Sequence, residues 1–105
     1  MKYPDYILKF ADEVRSQLET KFKNVELRFG GNEEVGFSSF AHFENDAVVA
    51  RLTIWEIENY LMEILPVDKN LKEVVRDGKN IGLPELAALV KKFSDEISNF
   101  VDLQD

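Results

Sequence analysis

At 105 residues, 45% hydrophobic and 31% charged, the chain suits one folded domain and is too apolar for wholesale disorder. Its 13 Lys and Arg against 20 Asp and Glu leave a net charge of −7 and a pI near 4.7, the wrong sign for gripping a phosphate backbone or lying as a basic helix on a membrane. The absence of cysteine removes disulfides, thiolate catalysis and cysteine-held metals.

The first predicted element is a helix from about Pro4 to Phe22. Ile7, Phe10, Ala11, Val14, Leu18 and Phe22 recur at three- and four-residue intervals and so share one face. Pro4 fits the first turn, and Asp5 at one end with Lys21 and Lys23 at the other complement the helix dipole. Val25, Leu27 and Phe29 then alternate with Glu26 and Arg28, the period of a strand with one wet face, which Gly30-Gly31-Asn32 is expected to end. Further strands are predicted over Val35 to Phe43 and Val48 to Trp55.

Asn45-Asp46 reads as a two-residue hairpin loop, because both residue types tolerate positive φ. That loop pairs Phe43 with Val48, Ala41 with Ala50, Ser39 with Leu52 and Phe37 with Ile54 on one face. The other face then sets His42 beside Val49, Phe40 beside Arg51, Ser38 beside Thr53 and Gly36 beside Trp55. In the next hairpin a three-residue loop, Ile57-Glu58-Asn59, keeps Ile54 with Met62 and Leu52 with Ile64 on the apolar face. It sets Trp55 by Leu61, Thr53 by Glu63 and Arg51 by Leu65 on the other, whereas a one-residue slip would bury Glu63. Pro66 ends this strand. Leu71 to Arg76 fits either a short strand or a helical turn.

A last helix is predicted from Pro84 to about Val101, with Leu86, Leu89, Val90, Phe93, Ile97, Phe100 and Val101 as its apolar stripe. The expected fold is α+β: an antiparallel meander of four to five strands with the N- and C-terminal helices on one face. The uncovered face would carry Phe40, His42, Arg51, Thr53, Trp55, Leu61, Glu63 and Leu65. A start of Met1-Lys2-Tyr3-Pro4-Asp5 without an apolar signal core, and no run of about 18 apolar residues, lead us to expect a soluble cytoplasmic protein.

Catalytic constellations are thin. His42 is the one histidine, and neither Ser38 nor Ser39 near it lies in a G-x-S-x-G setting, so a surface histidine is expected. Asn32-Glu33-Glu34 and Glu44-Asn45-Asp46 offer oxygen ligands but lack the spacing of a calcium loop. Gly30-Gly31 lacks a dinucleotide spacing, and Glu33-Glu34 would repel phosphate. Glu63, mid-strand near Trp55 and Leu65, is the one acid–base candidate, with a cross-strand ion pair to Arg51 as the preferred account. No enzyme activity, cofactor or metal is expected.

Charge placement says more. From Glu33 to Asp68 there are eight acids and one base, Arg51, so this span holds the entire net charge of −7; elsewhere acids and bases cancel. Successive turns of a meander alternate ends, which gathers Glu33, Glu34, Glu56 and Glu58 at one end with Trp55 beside them. Such crowding repels itself and is relieved by a basic partner, whose approach it accelerates. Trp is the residue type most often found anchoring an interface.

The run Ala50-Arg51-Leu52-Thr53-Ile54-Trp55-Glu56, followed by a short turn and Met62-Glu63-Ile64-Leu65, resembles the central hairpin of small bacterial immunity proteins of the TriTu type. The turn Ile57-Glu58-Asn59-Tyr60 is less glycine-rich than in that family. Those proteins neutralise toxin domains of contact-dependent inhibition and related polymorphic toxin systems. The resemblance implies stoichiometric inhibition of a cognate toxin in the cytoplasm of the producing cell, by covering its active site or substrate surface. Many such toxins are nucleases with basic faces, where an acidic inhibitor can take the place of the phosphates. The expected contacts are Glu33, Glu34, Trp55, Glu56 and Glu58, with Arg51 and Phe40 beside them. Reversing Glu56 and Glu58 to Lys is expected to slow binding while leaving the thermal midpoint nearly unchanged. The alternative is an acidic secretion-type chaperone, dimeric, holding an extended client against Phe40, Trp55, Leu61 and Leu65. Steep salt dependence of association would mark the inhibitor.

Overall fold

A computed structural model describes residues 2–102. Ile7, Phe10, Ala11 and Val14 line the buried face of α1 (Asp5–Gln17), which is shorter than predicted. The reason lies in its last turn. The N–H groups of Leu18 and Glu19 both reach the Val14 carbonyl, at 2.8 and 3.1 Å, so the regular ladder ends there. Asn24, at φ 62°, then turns the chain towards the sheet. Leu18 and Phe22 still pack into the core, Phe22 with its ring centroid 5.0 Å from that of Phe43, so the apolar period outlasts the helix.

Five strands follow, β1 (Glu26–Asn32), β2 (Gly36–Glu44), β3 (Val48–Trp55), β4 (Asn59–Pro66) and β5 (Val74–Gly78), paired antiparallel in chain order. A 3₁₀ turn at Leu83–Glu85 leads into α2 (Leu86–Asp102), close to the predicted helix, and the Gly82 N–H donates to Glu85 Oε2 at 3.0 Å to cap it. Both helices pack on one face of the sheet, as expected for the α+β arrangement. Between the layers, Leu52, Ile54, Met62 and Ile64 meet Phe10, Phe93 and Ile97, all fully buried. Each large side chain so buried contributes about 1.5–3 kcal/mol.

Three details depart from expectation. β1 does not end at Phe29 but runs through both glycines to Asn32, Gly30 facing Ser38 and Gly31 facing Phe37. The β2–β3 register is shifted by two residues, pairing Phe43 with Ala50, Ala41 with Leu52 and Ser39 with Ile54. Asn45 causes this: its Oδ1 accepts the N–H groups of Ala47 and Val48 at 2.8 and 3.0 Å, and its own N–H donates to the Val48 carbonyl. The turn is therefore wider than Asn45-Asp46 alone. The β3–β4 loop has the expected three residues, but they are Glu56-Ile57-Glu58, so Trp55 faces Asn59, Thr53 faces Leu61 and Arg51 faces Glu63. Glu58 takes the left-handed position at φ 68° that such loops usually give to glycine. The ambiguous Leu71–Arg76 stretch resolves in favour of a strand, β5 beginning at Val74.

At the end of the sheet carrying the β3–β4 turn, the Tyr6 hydroxyl donates to the Ile81 carbonyl at 2.6 Å, while the Ile81 N–H donates to the Glu58 carbonyl at 2.9 Å. This chain of bonds ties α1, the loop before α2 and the hairpin together. Burial, then the nearby Glu58 and Glu85 carboxylates, push the Tyr6 phenol from 10.0 up to about 12. A raised folded-state value favours the neutral phenol, so the stability it confers is complete below pH 10 and is lost as the pH climbs towards 12. A stability titration by urea melts is expected to fall across that window, and Tyr6→Phe is expected to remove that part of the fall.

Candidate functional site

The sheet face turned away from the helices carries, strand by strand, Glu26, His42, Arg51, Glu63 and Val75 in one row. The next row is Arg28, Phe40, Thr53, Leu61 and Asp77, and beyond it lie Gly30, Ser38, Trp55 and Asn59. All eight residues predicted for this face are on it, because a register shift of two preserves the alternation. Their neighbours change, however. Trp55 stands opposite Ser38 rather than Gly36, and Glu63 opposite Arg51 rather than Thr53.

The expected Arg51–Glu63 ion pair is not among those of the described residues. The Arg51 guanidinium instead lies over the Phe40 ring, 4.1 Å from its centroid, and its Nε donates to His42 Nδ1 at 3.3 Å. His42 Nε2 is 3.2 Å from Glu44 Oε1, and these two bonds together assign the neutral imidazole its proton on Nε2. Ser39 is buried on the opposite face, donating to the Arg28 carbonyl at 2.6 Å, so it is not available to His42. Arg51, His42, Glu63, Val49 and Leu65 surround a shallow hollow of about 230 Å³.

A larger groove, about 440 Å³, opens at the end of this face beside the β3–β4 turn, lined by Trp55, Ile57, Tyr60 and Leu61 of that hairpin and by Asp77 and Lys79 at the end of β5. Trp55 is 38% and Ile57 70% exposed, a large apolar investment left in water. The Tyr60 ring packs on Gly78, where an added Cβ would lie 2.3 Å from ring carbon Cε1. Asp77, Gly78 and Lys79 carry no site signal in the sequence, where an Asp-Gly pair reads as a loop; here Asp77 and Gly78 close β5 instead.

The four acids expected at one end do share it, but they do different things. Glu33 and Glu34 stand exposed in the β1–β2 turn, whose backbone is held by Asn32 Oδ1 accepting the N–H groups of Glu34 and Val35 at 2.8 and 3.0 Å. Their carboxylates are left for solvent or a partner. Glu56 is half-buried, and its Oε1 accepts the Phe37 N–H at 2.7 Å while its own N–H donates to the Phe37 carbonyl at 3.0 Å. Glu58 is exposed but leans towards the helix layer, its Oε2 close to Gly82 and its charge felt at Tyr6. With these contacts the Glu56/Glu58 reversal is expected to lower stability, which revises the expectation above. Glu56→Ala is expected to cost about 1–2 kcal/mol in chemical denaturation by leaving the Phe37 N–H without its acceptor, and Glu56→Gln to recover most of it.

Among the described residues no group of three or more metal-ligating side chains converges, and no helix is long and apolar enough to cross a membrane. Comparison with known protein families and with characterised proteins finds no match to this chain.

Proposed function

We propose that this chain is a protein-binding inhibitor, an immunity protein that neutralises a cognate toxin domain stoichiometrically. The observation that carries the reading is the pairing, at one end of the open sheet face, of an exposed Trp55–Ile57–Leu61 groove with the free carboxylates of the neighbouring Glu33-Glu34 turn. An indole that can be desolvated supplies an anchor, and surrounding acids attract and orient a basic surface. The hairpin Ala50 to Leu65 that resembles immunity proteins of the TriTu type contributes Trp55, Ile57, Tyr60 and Leu61 to this groove. A nuclease toxin, with its nucleic-acid-binding face, would present the required positive surface.

The test is co-expression in bacteria with the toxin domain encoded immediately upstream, scoring growth and co-purification. Rescue of growth with a one-to-one complex is the expected result. A well-expressed chain that neither rescues nor co-purifies would sink the immunity reading. A chaperone is favoured by a different feature: Leu65, towards the other end of the same face, and Val75, on its edge strand, are 40% and 57% exposed. In that case a dimer and a client bound with little salt dependence are expected.

A further inference from the structure

The open face already shows how it treats a guanidinium. Arg51 lies across the Phe40 ring at 4.1 Å, the geometry in which a planar cation is drawn to an aromatic face. Among the described residues, cations sit over Phe22 and Phe40, and none over Trp55, although indole is the strongest attractor of the three aromatic types. Trp55 is partly exposed and borders the groove that Asp77 also borders.

The separation suits one planar cation held between two side chains. Trp55 pairs with Asn59, and Asp77 pairs with Leu61, so the two lie two strands and two residues apart, about 12 Å between Cα positions, with Leu61 between them. Lys79 borders the groove too and offsets the Asp77 charge in part. Glu33, Glu34, Glu56 and Glu58 nevertheless share this end of the sheet in the β1–β2 and β3–β4 turns, so the field here favours a cation.

We propose that the groove is an arginine-binding subsite: a protein partner inserts an arginine whose guanidinium sits above Leu61, stacks on the Trp55 indole that leans over it and donates N–H groups to the Asp77 carboxylate on the other side. Arginine is preferred to lysine because its flat, weakly hydrated head can stack and bond a carboxylate at once. The inference rests on the reading of this chain as a protein-binding inhibitor and names one contact of that surface.

Trp55 is the one tryptophan of the chain, so its fluorescence reports directly on the groove. The full chain would be titrated with Ac-(Arg-Leu)4-NH2 and with its lysine and glutamate counterparts, at moderate salt. The arginine peptide is expected to give a saturable change in emission and to bind about three- to tenfold more tightly than the lysine peptide. Asp77→Asn is expected to remove most of that preference without moving the melting temperature, since Asp77 is exposed. Equal binding of the two cationic peptides, an equal response to the glutamate peptide, or an Asp77→Asn variant that behaves as wild type would each overturn the assignment. The functional reading fails separately. Peptide binding without rescue in the co-expression assay removes the toxin and keeps the subsite, whereas rescue untouched by Asp77→Asn keeps the toxin and removes the subsite.

Discussion

Gly31→Ala is expected to destabilise the fold by about 3 kcal/mol, while Gly30→Ala next to it should cost less than about 1 kcal/mol. A Cβ on Gly31 would lie 2.0 Å from the Gly36 carbonyl oxygen and 2.9 Å from Phe37 Cα, and the residue sits at φ +85°. Every atom it meets belongs to the backbone of the facing strand, so no change of rotamer relieves the clash. Gly30 has no positive φ, and its added methyl would meet one side-chain atom, Ser38 Oγ, at 3.3 Å. That hydroxyl can rotate aside, and the gain in strand propensity offsets part of the cost. Urea melts of the two variants check the difference through their midpoints at common slope. A Gly31→Ala variant within about 1 kcal/mol of wild type would mean that the hairpin reshapes, and the Glu33-Glu34 turn with it.

The contrast between those two glycines illustrates what the sequence could and could not disclose. Alternation along β2, β3 and β4 placed each residue on its face, because burial of Phe37, Ala41, Leu52, Ile54, Met62 and Ile64 tolerates only even shifts. The same arithmetic is blind to a shift of two. Register was settled by Asn45, whose side-chain oxygen collects two backbone N–H groups, and by Glu58, which accepts a left-handed conformation that its residue type seldom adopts. Neither choice has a hydrophobic signature.

The candidate site divides along the same line. Trp55, Phe40 and Arg51 were placed correctly on the open face, since facing is a matter of parity. What they touch was not legible: Arg51 chose the Phe40 ring and His42 over Glu63, a contest between cation–π stacking and an exposed ion pair worth little in water. The acidic end was visible from turn order, but not that Glu56 is occupied by the Phe37 N–H and Glu58 is drawn towards the helices. Asp77, on the far wall of the groove, depended on a five-residue strand whose short, mixed sequence fits more than one structure.

Those differences select the charge reversal that best tests the function. Glu33→Lys with Glu34→Lys is expected to slow association with a basic partner by about 10- to 100-fold at low salt, leaving the melting temperature nearly unchanged. Each reversal moves the net charge of −7 by two units, and both residues are exposed in a turn whose hydrogen bonds use the Glu34 backbone and the Asn32 side chain, not the two carboxylates. Stability should therefore shift by no more than about 0.5 kcal/mol, the usual range for exposed substitutions. Stopped-flow association with the purified toxin domain, from low to physiological salt, is the measurement. The difference between wild type and variant should shrink as the screening length falls below about 10 Å, because steering acts at a distance. A dissociation rate that changes far less than the association rate would identify these acids as attractors at the rim, with the Trp55 groove holding the complex. Equal association rates at low salt would remove charge steering from the account, and would leave the open apolar face as the surface to be explained.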